Sequence, residues 1–135
     1  MRERRAHPRV TQVLLVGVGG ALGAVARYGV AGLVQRRFPG DFPAGTLAVN
    51  ALGCLLIGGL MALAEGKHLA RPDVLLFLTT GILGGFTTFS AFGHETFQLL
   101  RQGAAGLAMG NVAANVGLGA LAVWLGRVLA KGLGA

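Results

Sequence analysis

The chain has 135 residues, of which 53% are apolar and only 13% charged, with a net charge of +7, 24 glycines and 4 prolines. A soluble domain carries about a quarter charged residues, so this composition excludes that class, and glycine without proline enrichment fits close-packed transmembrane helices instead of collagen or a linker. The positive residues sit at the ends of apolar stretches and form no surface stripe, which sets nucleic-acid binding aside and reads as topology signal and phospholipid contact.

One domain of four membrane spans is expected, each near the roughly 20 residues needed to cross hydrocarbon. Residues 10–34 form the first. Arginines before an apolar run resemble a signal peptide, but this run exceeds the usual apolar core of about 7–15 residues and reads as a retained helix. Gly19 and Gly23 share a helix face there, a spacing that lets backbones approach closely. Arg27, beside Tyr28, lies about two turns from the end of the span. It either snorkels to the interface or gives a vestibule a positive potential that draws anions.

A turn over residues 35–43 leads to the second span, residues 45–64. Thr46 and Asn50 lie one turn apart on one face. The Asn50 amide offers two donors and one acceptor oxygen, and it suits interhelical hydrogen bonding as well as ion ligation. Cys54 is the only cysteine. It has no disulfide partner and reads as a small apolar helix residue.

After a polar loop over residues 65–73, the third span covers residues 74–100 and is interrupted by Gly84-Gly85-Phe86-Thr87-Thr88-Phe89-Ser90-Ala91-Phe92. Backbone that leaves the helix inside a membrane must be buried in protein or line a watery cavity. Broken helices are a known way to build ion sites, so this segment points to ion handling. Phe89 and Phe92 are three apart and share a face. Such a pair commonly packs, yet ring edges carry the positive end of the quadrupole and suit a small anion. Ser90 offers a hydroxyl donor on an adjacent face. Carbonyls opened at Gly84 and Thr87 suit a hard cation such as sodium. Glu95, near the end of the span, is expected to be an interfacial carboxylate.

Arg101-Gln102-Gly103 turns the chain into the fourth span, residues 104–125. Asn111 and Asn115, one turn apart, make a polar stripe, which points to a pathway more than an isolated amide does. The glycine pairs Gly19/Gly23, Gly81/Gly85 and Gly106/Gly110, on spans too few to enclose a conduit alone, imply a homo-oligomer. Four crossings put both termini on one side with Arg2, Arg4, Arg5, Arg9, Lys67, Arg71, Arg127 and Lys131, against Arg36, Arg37 and Arg101. This favours cytoplasmic termini. Without the first nine residues the count is four against three, as in a protein that inserts both ways. His7, His68 and His94 are scattered, so no metal cluster is expected, and no nucleophile–base pair, carboxylate pair or phosphate-binding loop suggests an enzyme.

The segments Gly19 through Tyr28, Gly45 through Gly53, Gly81 through Phe92 and Asn111 through Gly119 resemble the Fluc/CrcB family of fluoride channels, in the family's order and across all four spans. The Gly-Gly-x-Thr-Thr-Phe-Ser-x-Phe run is the specific part. The resemblance implies an all-α integral membrane protein of the cell's inner (plasma) membrane, an antiparallel, dual-topology dimer with two narrow fluoride pores. It further implies that Asn50 contacts fluoride, that Phe89 and Phe92 line the pores with their edges, and that Ser90 belongs to a polar track. Thr46, Asn111 and Asn115 fall along the same pathway, and Arg27 at a vestibule. Gly84 and Thr87 match positions whose carbonyls hold a structural sodium ion that is not transported. Ala91 departs from the family, which often has threonine there. An oppositely oriented paralogue is the alternative partner. The alternative functions are a small proton-coupled exporter, which normally needs a carboxylate within the membrane, and a non-transporting scaffold, which needs no aligned polar residues.

Overall fold

A computed structural model describes residues 9–66 and 71–134. Arg2, Arg4, Arg5, His7, Lys67 and His68 lie outside the described residues, and with them part of the charge count. Among the described residues, four helices are long and apolar enough to cross a membrane, at Val10–Arg37, Ala44–Glu65, Pro72–Arg101 and Ala105–Gly132. We label Val10–Arg37 α1 and Ala44–Glu65 α2. The third span contains α3 (Pro72–Leu76), a π-helical stretch (Phe77–Leu83), α4 (Gly84–Phe86) and α5 (Phe89–Arg101), and α6 is Ala105–Gly132.

The expected spans are present, with two differences. α6 continues past residue 125 to Gly132. Its added turns keep strong helix formers, and Arg127 there forms a two-pronged ion pair with Glu65 at the end of α2, at 2.9 and 2.7 Å. The third span also departs from α-helix before its break, as the π-helical winding of Phe77–Leu83. Thr79-Thr80-Gly81 lies at its centre, where β-branched residues and glycine weaken the α-helix.

The turn between α1 and α2 is held by one side chain. Gln35 Nε2 donates to the carbonyls of Phe42 at 3.2 Å and Gly40 at 3.3 Å, while its Oε1 accepts from Gly45 N at 3.1 Å. Gly40 adopts a φ of 143°, open to glycine and strained for other residues.

Packing rests on backbone approach. A Cβ at Gly19 would come within 2.9 Å of Gly81 Cα and of the Phe77 carbonyl oxygen. A Cβ at Gly23 would overlap the Ile82 carbonyl, and one at Gly85 the Gly20 carbonyl. The pairs Gly19/Gly23 and Gly81/Gly85 are thus consumed within one protomer, closing α1 on the third span, and are not free for subunit contact. Gly58 and Gly126 do the same for α2 and α6, meeting Val123 and Leu55. Nothing lies within 4 Å of a Cβ at Gly106 or Gly110, so that pair alone stays open. The buried core is thin, with Val49, Leu83, Phe86 and Leu99 its larger apolar members and Thr46 and Asn111 its polar ones.

Candidate ion pathway at the broken third span

The break consists of Thr87 and Thr88, whose ψ angles of 160° and 117° are extended. Two extended residues release backbone groups that a helix would have paired, and the N–H and carbonyl groups of Thr87 and Thr88 themselves all have partners. Thr87 still bonds backward, with its N–H and its hydroxyl both donating to the Leu83 carbonyl at 3.0 Å. Thr87's own carbonyl accepts from Arg27 Nη1 at 3.2 Å. Arg27 is therefore paired with the break inside the protomer and does not simply snorkel to the interface. Thr88 caps α5, its hydroxyl accepting from Ala91 N at 3.2 Å.

Asn50 grips the Thr88 peptide from α2. Its Oδ1 accepts from Thr88 N at 2.9 Å and its Nδ2 donates to the Thr88 carbonyl at 3.1 Å. The second Nδ2 hydrogen goes to Asn115 Oδ1 at 2.9 Å. Asn115 then donates to the Asn111 backbone carbonyl at 3.0 Å and to Asn111 Oδ1 at 2.9 Å. Asn111 donates to Thr96 Oγ1 at 2.9 Å, and Thr96 donates to the Phe92 carbonyl at 2.7 Å. A peptide N–H only donates and a carbonyl only accepts, so the Thr88 peptide fixes the Asn50 amide orientation. Each amide then fixes the next. The result is a one-way ladder from the break across α6 to the backbone beneath Phe92.

A groove of about 460 Å³ opens beside this ladder, lined among others by Asn50, Asn115, Thr79, Gly84, Phe89 and Phe92. The two rings meet at a centroid distance of 5.5 Å and an interplanar angle of 55°, so an edge of one is tilted toward the other. Phe89 is 82% exposed in the protomer. Ser90 is exposed, its hydroxyl 3.3 Å from that of Thr88. Of the sequence-predicted residues, the fold brings Asn50, Asn115, Phe89, Phe92, Gly84 and Thr87 to this groove. Asn111 lies behind it, completely buried.

Thr46 and Glu95 form a separate pair. Thr46 Oγ1 donates to Glu95 Oε1 at 2.7 Å, and Glu95 Oε2 is buried with no hydrogen-bond partner. Glu95 is half-buried on α5 against the first turn of α2, near the end of the span where an interfacial carboxylate is expected. It borders a second cavity of about 260 Å³ with Asp41, His94, Gln98 and Gln102.

A cation at the break would rest on carbonyls, since no three His, Cys, Asp or Glu side chains cluster among the described residues. Gly84 fits that use. The Thr88 N–H that would close the next helical turn on its carbonyl is taken by Asn50. Thr87 fits less well in the protomer, because its carbonyl already carries the Arg27 guanidinium, whose charge opposes a cation on the same oxygen. Oxygen donors of this kind suit a hard cation.

The profile of the family described as CrcB-like protein, Camphor Resistance (CrcB), matches residues 14–127. The chain belongs to the CrcB family. Curated relatives carry the name fluoride-specific ion channel FluC. The one from Methylobacillus flagellatus is 46% identical over 121 residues, covering 89% of this chain and 94% of the relative. That from Opitutus terrae is 46% identical over 122 residues, covering 89% and 92%. An archaeal relative from Methanosarcina barkeri, named FluC 3, is 42% identical over 121 residues, covering 90% and 91%. In this CrcB-family chain, sequence reasoning missed Thr96 and the capping role of Thr88. A lone threonine in an amphipathic helix carries no signal by itself. Thr88 did carry one, a hydroxyl three residues before Ala91 at a helix start.

Proposed function

We propose that this chain is a passive fluoride channel of the plasma membrane, acting as an antiparallel homodimer. The observation that carries this reading is the groove at the broken third span, where the asparagine ladder meets the Phe89–Phe92 pair. The names of the relatives supply the ion. Fluoride is small and holds its water tightly, so a pore must replace that water with several donors yet avoid a deep binding well. Neutral amides, hydroxyls and ring edges meet both demands, where a buried lysine would trap the ion. Phe89 and Phe92 supply the edges and Ser90 a hydroxyl, while Asn50 and Asn115 line the groove with amides whose N–H groups are engaged in the ladder, so an ion there must draw one of them away from its present partner. Thr46 lies outward along the route. Arg27 supplies positive potential near the break.

The exposure of Phe89, Ser90 and Gly84 supports a dimer. Irregular backbone does not face lipid at membrane depth, so protein must cover this patch. A second copy supplies a matching face by two-fold symmetry. The near-balanced charges outside the basic tail suit an inverted partner. A sodium ion held by Gly84 and Thr87 carbonyls would add a fixed charge at the dimer centre and is not transported. The remaining apolar faces meet lipid.

Passive conduction protects a cell in acid. Hydrogen fluoride enters neutral, ionises inside, and fluoride leaves down its electrochemical gradient. The test is fluoride flux under a potassium–valinomycin potential with equal pH on both sides. Flux persists if conduction is uncoupled; flux that needs a proton gradient overturns the proposal. One observation keeps proton coupling a competing outcome, because Glu95 is a half-buried carboxylate with an unpartnered oxygen. Efflux of a hydrophobic cation would mark an exporter. A scaffold would lose assembly, not flux, on Asn50 substitution.

A further inference from the structure

We infer that Asn50 is a positioning residue that keeps the Gly84 carbonyl open to a cation, apart from any contact it makes with the permeating anion. This inference rests on the reading that a cation sits on the carbonyls of the break.

Two acceptors, the Gly84 carbonyl and Asn50 Oδ1, compete for a single donor. In a continuous α-helix the N–H of residue 88 would bond to the carbonyl of residue 84. Here Thr88 N donates to Asn50 Oδ1 at 2.9 Å instead. The same amide donates to the Thr88 carbonyl at 3.1 Å, so Asn50 holds the peptides on both sides of residue 88. Arg27 holds the Thr87 oxygen of the peptide that carries the Thr88 N–H, and that peptide cannot turn toward Gly84 without breaking these bonds. Asn50 therefore does for Gly84 what proline does elsewhere: it removes the donor that would close the helical turn. Nothing in α4 replaces it, because that helix is only Gly84–Phe86 and ends at the extended Thr87. Gly84 is exposed and borders the groove, so the residue that carries the freed oxygen lies at the surface of the protomer. The second hydrogen of Asn50 Nδ2 goes to Asn115, which anchors the clamp to α6 but does not touch the Thr88 peptide.

The acceptor oxygen and the donor nitrogen of Asn50 thus have separable effects. Asn50→Ala removes both and lets Thr88 N return to Gly84. Asn50→Asp keeps an acceptor for Thr88 N and loses the donors. Asn115→Ala leaves both bonds to Thr88 in place.

The experiment measures hydrogen exchange across residues 84–92, and the thermal midpoint of the full chain in detergent, as sodium replaces N-methylglucamine. The wild type shows a half-effect sodium concentration. Asn50→Ala raises that concentration by about tenfold or more, the scale of losing one to two net hydrogen bonds. Asn50→Asp keeps it at or below the wild-type value, and Asn115→Ala leaves it near the wild type. These expectations hold even where a variant lowers the midpoint in both cations, because the readout is sodium dependence and not stability. An unchanged half-effect concentration in Asn50→Ala, or an equal rise in Asn115→Ala or Asn50→Asp, overturns the inference. A wild type that responds equally to both cations while still passing fluoride overturns the cation reading, and this inference with it, without touching fluoride conduction.

Discussion

The two halves of the third span solve the same problem by different means. Before the break, the π-helical stretch and α4 lie against α1 with backbone touching backbone, through Gly19, Gly23, Gly81 and Gly85. After it, α5 is tied to α2 and α6 by side-chain amides and hydroxyls, through Asn50, Asn115, Asn111 and Thr96. Lipid tails are as apolar as leucine, so helices in a bilayer associate by close packing or by polar bonds, not by hydrophobic expulsion. The first half uses packing, and what it offers an ion is chiefly the Gly84 carbonyl at its end. The second half uses polar bonds, and its rings, with Asn50 and Asn115, face a groove. One span thus divides into a structural half and a chemical half, with Thr87 and Thr88 as the boundary.

This division predicts effects of different kind on the two sides. The largest belong to the glycine half. Gly23→Ala places a Cβ onto the Ile82 carbonyl and within 2.8 Å of Phe86 N, backbone atoms that cannot step aside. Overpacking commonly costs about 1–3 kcal/mol and exceeds that against backbone, so the expected result is loss of folded protein on size-exclusion chromatography. Gly17→Ala, with nothing within 4 Å, serves as the matched control and leaves the protein folded. A folded Gly23→Ala would break the claim that this half is closed by backbone contact.

On the chemical half, Phe89→Ile or Phe92→Ile leaves the fold and the dimer intact and lowers fluoride flux about tenfold, the scale of one lost ring contact. Unchanged flux would remove the ring-edge argument. A smaller effect follows from Thr96→Val, which keeps shape but takes away the acceptor for buried Asn111. It lowers unfolding stability by about 1–3 kcal/mol and reduces flux less than the ring substitutions. Glu65→Gln gives the smallest change. The Glu65–Arg127 pair lies in the exposed end of the bundle, and a thermal shift that is slight and disappears in high salt is expected.

Much of this was legible from residue order. Apolar runs fixed the four spans, and Gly84-Gly85 with Thr87-Thr88 marked the break, because glycine and clustered hydroxyls have little other use at membrane depth. Asn50 showed that it needed partners but not which ones. Its bond to Asn115 joins residues 65 apart in the chain, a pairing that depends on how α2 lies against α6. The Thr46 partner of Glu95 was not legible for a definable reason. The carboxylate's depth can be counted from the end of the span, but the face it points to cannot. The two extended residues of the break uncouple the phase of α5 from that of α4. The glycine pairs were recognised as contact faces, but spacing alone does not say whether the contact is within a protomer or between protomers. The π-helical winding was missed because Thr79-Thr80-Gly81 weakens an α-helix without specifying what replaces it.

The most direct test of fluoride conduction is efflux from liposomes that contain this purified chain as the only protein, with valinomycin to clear the charge and chloride as the control ion. The account predicts rapid loss of fluoride and retention of chloride, which would establish both the activity and the sufficiency of a homo-oligomer. Retention of fluoride by a well-folded preparation, or equal loss of both ions, would contradict it.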